Sequence, residues 1–297
     1  MNPLKALKNN RRKPPMILKL LAILAIVIGV SACGYQAPLT AEEYDPENHV
    51  DHRIDLAPET AILELYQIMK DTHEVFRKCQ LSYWADSGTA LGAVRNNGII
   101  PWDDDNDIAV SSKDVPQLLI LRPIFSSLGY FIEKVFFGYR IVKTGTTAGV
   151  DIFLMNEVNG NFYYDRGDWG TRETTDAITG NKKKEGIYIT REELFPLKEV
   201  DFGPVKVMIP NNPTPYLDAN FRGWKDVAFT YGHVGQRKFR IDLTKYPHFK
   251  LPAPLEANTF QSTDIRDKIK NRISGDLNCP VLDTQRRLPF PGFFGGV

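Results

Sequence analysis

The chain has 297 residues, enough for one large domain or two small ones. Hydrophobic residues make up 42% and charged residues 25%, the composition of a folded globular body rather than a disordered or fibrous chain. The 37 Lys and Arg against 36 Asp and Glu leave a formal charge of +1, which argues against wrapping of duplex nucleic acid; no nucleic-acid partner is expected, and an acidic substrate has to be held by local groups.

The first 35 residues read as an address rather than a fold. Residues 1–19 carry Lys5, Lys8, Arg11, Arg12, Lys13 and Lys19 with no acid, and residues 20–30 are the apolar run LLAILAIVIGV, followed by Ser31-Ala32-Cys33-Gly34. A basic start, a short apolar stretch and small residues describe a secretory signal, and the run is shorter than the roughly 20 residues of a comfortable spanning helix. Two readings stand. Val30-Ser31-Ala32-Cys33 resembles a lipobox, with Cys33 lipidated, or the segment is an uncleaved signal anchor. Both attach the protein to a membrane and put its body on the periplasmic, lumenal or extracellular side. Three cysteines, none in a Cys-x-x-Cys pair, make no disulfide framework, and Cys79 reads as a small buried hydrophobe.

Residues 36–58 are polar and lack a period, as a tether does. Pro58-Glu59-Thr60 then opens a helix with Ile62, Leu65, Ile68, Met69, Val75 and Phe76 at helical spacing, a core-facing stripe. Residues 81–85 have strand character. Asp86-Ser87-Gly88-Thr89 is a turn with N-cap chemistry leading into a short helix over residues 90–95, and Asn96-Asn97-Gly98 is a second turn. The alternation over residues 103–110 predicts a strand edge, residues 114–128 a helix, residues 130–142 one or two strands and residues 149–155 another strand. Residues 163–184 are polar and aromatic, as a substrate loop is; residues 205–209 predict a strand and residues 214–232 a helical packing segment. The folded body thus runs over residues 59–245, and residues 246–297 form a Pro-rich tail of doubtful order.

Asp103, Asp104, Asp105 and Asp107 crowd four carboxylates into five residues. On a strand, Asp103, Asp105 and Asp107 point to one face, where like charges repel unless something neutralises them. A hard cation, Mg²⁺ or Mn²⁺, suits carboxylate oxygens together with substrate phosphate. Asp151, between Val150 and Ile152, is an isolated acid in an apolar strand, and the same cation would give it a partner. Two plainer readings compete: a solvated charged loop, and a calcium loop, from which Ile108 and Asp114 depart at the positions that call for Gly and Glu. Gly88 and Thr89 open a helix whose N–H groups suit a phosphate, and Arg95 adds a bidentate donor. Arg140 and Lys143 are further basic residues within reach of a phosphate, and Trp102 reads as packing.

The stretch YWADSGTALGAVRNNGIIPWDDDNDIAV over residues 83–110 closely resembles the LicD/fukutin-related family, and the likeness continues at Gly149-Val150-Asp151-Ile152-Phe153 and more loosely to Tyr231-Gly232. The resemblance implies an α+β nucleotidyltransferase-type fold, a mixed sheet with flanking helices. It implies transfer of a phospho-alcohol, such as phosphocholine or ribitol phosphate, from a CDP-linked donor to a glycan acceptor. By motif, Asp105 and Asp107 are metal ligands with Asp103 alongside, Asp151 is a further ligand or the general base, and Gly88, Thr89 and Arg95 belong to the donor-phosphate loop. The competing functional expectation is a non-enzymatic, membrane-anchored calcium- or glycan-binding envelope protein on the same fold.

Overall fold

The computed structural model describes residues 41–46, 54–146, 148–165, 171–175, 182–186, 188–230, 239–254 and 263–280. The amino-terminal segment with Cys33, part of the tether, and the Tyr231-Gly232 end of the family likeness lie outside the described residues. Among the described residues no helix is long and apolar enough to cross a membrane.

A short strand, β1 (Glu42–Glu43), precedes helix α1 (Glu59–Lys78). The predicted stripe forms this helix: Ile62, Leu65, Ile68, Met69, Val75 and Phe76 are all buried. Glu59 in its first turn and Arg77 and Lys78 in its last complement the helix dipole. Strand β2 (Trp84–Ala85) leads to α2 (Ser87–Leu91), which runs into a π-helical turn over Gly92–Asn96. Asn97 then reverses the chain at φ 55°, a conformation that asparagine tolerates. At Gly98 an added Cβ would sit 2.7 Å from Pro252 Cβ and from the Tyr66 hydroxyl, so only glycine lets these segments meet.

The next strand, β3, is Asn106–Ser111, so Asp103, Asp104 and Asp105 lie in the loop before it, whereas the alternation predicted a strand from residue 103. Nor is it an edge: β2 pairs with it antiparallel on one side and β6 (Gly149–Val158) parallel on the other. Between them, the expected helix over residues 114–128 is two short helices, α3 (Val115–Ile120) and α4 (Arg122–Ser127), because Pro123 cannot donate to the turn before it. The hairpin β4 (Tyr130–Val135) and β5 (Gly138–Lys143) follows, as predicted.

Strand β6 organises the main sheet. It pairs with β3, with β5 along Gly149–Phe153, and with β7 (Asn161–Tyr164) along Met155–Val158. The parallel β3–β6 pair among antiparallel neighbours makes the sheet mixed, in an α+β fold of the expected class. Strands β8 (Thr171–Thr175) and β9 (Lys182–Gly186) form a separate hairpin within the stretch read as a substrate loop, the rest of which is largely outside the described residues. After β10 (Tyr188–Thr190), helix α5 (Arg191–Leu194) starts with a capping box between Thr190 and Glu193. Strands β11 (Lys198–Phe202) and β12 (Val205–Ile209) form a hairpin, and α6 (Thr214–Asn220) covers only the first part of the predicted helical segment before β13 (Val227–Phe229), which pairs with β14 (Phe239–Asp242).

Two readings of the sequence are corrected in the carboxy-terminal part. Cys79 is no free thiol but is disulfide-bonded to Cys279, across a separation of 200 residues. Residues 247–254, which begin with a 3-10 turn over Pro247–Lys250, and the segment around α7 (Thr263–Lys268) are fastened to the body by side-chain contacts. The Asn96 side-chain amide donates to the carbonyls of Phe249 (2.9 Å) and Leu251 (3.1 Å), and Tyr66 Oη donates to Ala253 O at 3.1 Å. Arg272 reaches buried Asp71 at 3.0 Å and the Tyr130 hydroxyl at 2.8 Å. Trp102 packs edge-on against buried Phe249, so its role is the packing one.

Candidate active site

The site is built on the parallel pair. Asp107 of β3 stands directly opposite Asp151 of β6, so the alternation of a strand sends both side chains to the same face. Their neighbours Asn106, Ile108, Val150 and Ile152 go to the other face and are fully buried, with the Asn106 amide donating to Leu65 O of α1 at 3.1 Å. The apolar residues fix the register, and the register fixes the acids. Asp105 comes from the preceding loop. Carboxylate oxygens of Asp105, Asp107 and Asp151 all lie within 4.8 Å of one another, and those of Asp103, Asp104 and Asp105 form a second such group. Two oxygens on one Mg²⁺ are at most about 4.2 Å apart, given bonds of about 2.1 Å, so the first trio fits one hard cation after a small closing movement. Asp103 stands with that trio only through Asp105, and Asp104, for which the alternation implied no ligand role, is its neighbour in the second group.

Helix α2 clamps the strand that carries Asp107. The Asp86 N–H donates to Asp107 O at 3.0 Å, and the Asp107 N–H donates to Thr89 Oγ1 at 2.8 Å. Thr89 therefore holds the backbone of Asp107, a role that the phosphate-loop reading did not include. At Gly88 an added Cβ would lie 2.5 Å from Asp103 Oδ2, so the missing side chain is what lets that carboxylate come in. Arg95, in the π-helical turn, donates from Nε to Asn96 Oδ1 at 2.8 Å, and its charge favours the ionised form of Asp103.

Asp86 is a functional candidate that the sequence reading took only for a helix cap. Its carboxylate does not cap α2; it is fully buried and accepts hydrogen bonds from the hydroxyls of Tyr216 (2.6 Å), Tyr164 (2.8 Å) and Ser87 (3.2 Å). Both tyrosines are distant in sequence, on α6 and β7, so nothing local announced them. Burial raises the Asp86 pKa while the three hydroxyls oppose the shift.

The remaining basic residues fall differently from expectation. Arg140, on β5 directly opposite Asp151, takes both oxygens of that carboxylate, with Nη2 at 2.9 Å from Oδ2 and Nε on Oδ1. Lys143, three residues along, pairs with Glu64 of α1 at 2.6 Å, so the structure does not bring it to the acids. The crowding shows in the ionisation. Loss of water, then repulsion from Asp105 and Asp104, pushes the Asp103 carboxyl well above the usual range. Asp107 is raised likewise by burial, then by Asp105, Asp151, Asp103 and Asp86. Such a site holds its charge far more readily around a cation.

Residues 80–212, which contain every one of these acids, match the family model described as LicD/FKTN/FKRP, nucleotidyltransferase domain. The protein RP689 of Rickettsia prowazekii (strain Madrid E) is 37% identical over 196 residues, covering 65% of this chain and 67% of that protein. The chain belongs to the LicD/FKTN/FKRP family. The ribitol-5-phosphate transferase FKTN of Mus musculus is 27% identical over 204 residues, 65% of this chain. This chain spans only 39% of the length of that mammalian relative. Among solved structures, a crystal structure of ANT(2")-Ia with adenylyl-2"-tobramycin matches at 16% identity and a TM-score of 0.26, covering 39% of this chain and 65% of that one.

Proposed function

We propose that this LicD/FKTN/FKRP-family chain is a metal-dependent transferase that moves a phospho-alcohol, of the phosphocholine or ribitol-phosphate kind, from a CDP-linked donor to a glycan hydroxyl. The observation that carries the reading is the meeting of Asp105, Asp107 and Asp151 from separate parts of the chain. Their oxygens would hold Mg²⁺ or Mn²⁺, which supplies neutralisation of the donor diphosphate. In the transfer the acceptor oxygen bonds to the β-phosphorus, the bond from that phosphorus to the bridging oxygen breaks, and CMP leaves. Gly88 lies against Asp103, and Arg95, whose charge acts on Asp103, would meet the donor's phosphate oxygens there. We assign the acceptor's proton to Asp103, the carboxylate that stands outside the trio and against Gly88.

We place the body on the far side of a membrane, held there by the basic and apolar amino-terminal segment, with Cys33 as the site of lipidation or part of an anchor. The Cys79–Cys279 disulfide supports that placement, since such bonds persist in oxidising compartments.

The 297-residue chain in detergent, given CDP-ribitol or CDP-choline with Mn²⁺ and a glycan, should release CMP, and Asp105→Ala should lower the rate by about 10²–10³-fold, the scale of losing a main electrostatic group. CMP release that persists in EDTA counts against the scheme. Calcium or glycan binding without any CDP binding would favour the envelope-protein alternative.

A further inference from the structure

Arg140 occupies both oxygens of the one acid that β6 contributes to the trio. The pair is built into the sheet: Arg140 and Asp151 are partners in the β5–β6 ladder, and Glu133 of β4 flanks the arginine from its other side. The two groups differ in freedom. The Asp151 side chain is 8% exposed and fixed in a buried strand, whereas the Arg140 side chain is 36% exposed and long enough to swing toward solvent. A cation that draws on Asp151 together with Asp105 and Asp107 sets a second positive charge against the carboxylate that the guanidinium already holds at both oxygens, and the two cations repel. Both positive groups are attracted by the same crowd of acids, because Asp105 also favours the charged form of Arg140.

We propose that Arg140 is an exchangeable counter-charge: it competes with the divalent cation for Asp151, and once displaced it turns its N–H groups to an anionic diphosphate on the same face. This rests on the transferase reading and adds an order to it, in which loading with metal frees the arginine that grips the donor. Linkage then requires that metal and nucleotide each tighten the binding of the other.

Calorimetry of the 297-residue chain with Mn²⁺ and with CDP tests this. Without nucleotide, Arg140→Gln should bind Mn²⁺ about tenfold more tightly than the unaltered chain, equivalent to about 1.4 kcal/mol. With saturating Mn²⁺, the same variant should bind CDP less tightly, so that the mutual enhancement shrinks. Equal or weaker Mn²⁺ binding by Arg140→Gln overturns the proposal, and shows instead that the arginine holds Asp151 in place for the ion. Should that variant fail to fold, Arg140→Lys carries the test, since one ammonium cannot hold both oxygens; it too should bind Mn²⁺ more tightly, and equal or weaker binding overturns the idea. An unaltered chain that binds Mn²⁺ but no CDP overturns the transferase reading and the donor half of this proposal, while the Mn²⁺ comparison still decides the competition.

Discussion

The two faces of the β3–β6 pair follow opposite rules. On the face toward α1, Ile108, Val110, Val150 and Ile152 are fully buried with Phe76, Leu65 and Ile68 nearby in the same core, and these apolar groups favour folding. One residue along the same strands, Asp107 and Asp151 are held near Asp105, an arrangement that disfavours the folded state by repulsion and desolvation. The apolar face holds the register that the acidic face needs. Stability and function are therefore drawn from opposite side-chain directions within single strands, so a change on the acidic face should shift the two in opposite senses.

The strongest test of the helix-backed face is Phe76→Ala. Phe76 is fully buried between Tyr83 and Phe125, and its loss should cost about 3–5 kcal/mol, measured by denaturant unfolding. Mn²⁺ affinity of the remaining folded protein should not change; a parallel loss would tie the two faces together. Next is the Cys79–Cys279 link, which fastens the far end of the chain to the end of α1. Cys79→Ser with Cys279→Ser should lower stability by about 2–4 kcal/mol, because the unfolded chain regains the freedom of a long loop. CMP release per folded molecule should stay the same.

The acidic face should respond in the opposite sense. Asp103 and Asp107 have pKa values raised above 3.8, so between that value and the raised ones the folded protein holds more protons than the unfolded chain. Stability without added metal is then greatest at the acid end of this window and falls as pH rises through it. Asp107→Asn should flatten that slope and raise the melting temperature while removing activity. A metal-free protein whose stability rises with pH across the window, with the slope unchanged in Asp107→Asn, contradicts the crowding. The smallest effect belongs to Lys143→Ala. Its pair with Glu64 is half exposed and away from the acids, so it should cost at most about 1 kcal/mol and leave Mn²⁺ and CDP binding unaltered.

What was legible in the sequence was whatever repeats along it. The 3.6-residue stripe of α1 and the apolar run of β6 appear where the pattern put them, and the meeting of Asp107 with Asp151 follows from those strands. Alternation misled at residues 103–105: Asp-rich segments alternate by composition, and the strand starts only where Asn106 finds Leu65 behind it. Contacts between distant segments left no local mark. Asp86 gathers Tyr164 and Tyr216, and Cys79 meets Cys279, from separations that no spacing rule reaches. The described parts of the carboxy-terminal segment, residues 247–254 and 263–280, are held by contacts of the same long-range kind, through Asn96, Tyr66 and Arg272.

The most direct test is anomalous diffraction from crystals of the protein soaked in Mn²⁺. A single strong peak bonded to oxygens of Asp105, Asp107 and Asp151 is the predicted result. A peak held by Asp103 and Asp104 alone, with Asp151 still closed on Arg140, would contradict it.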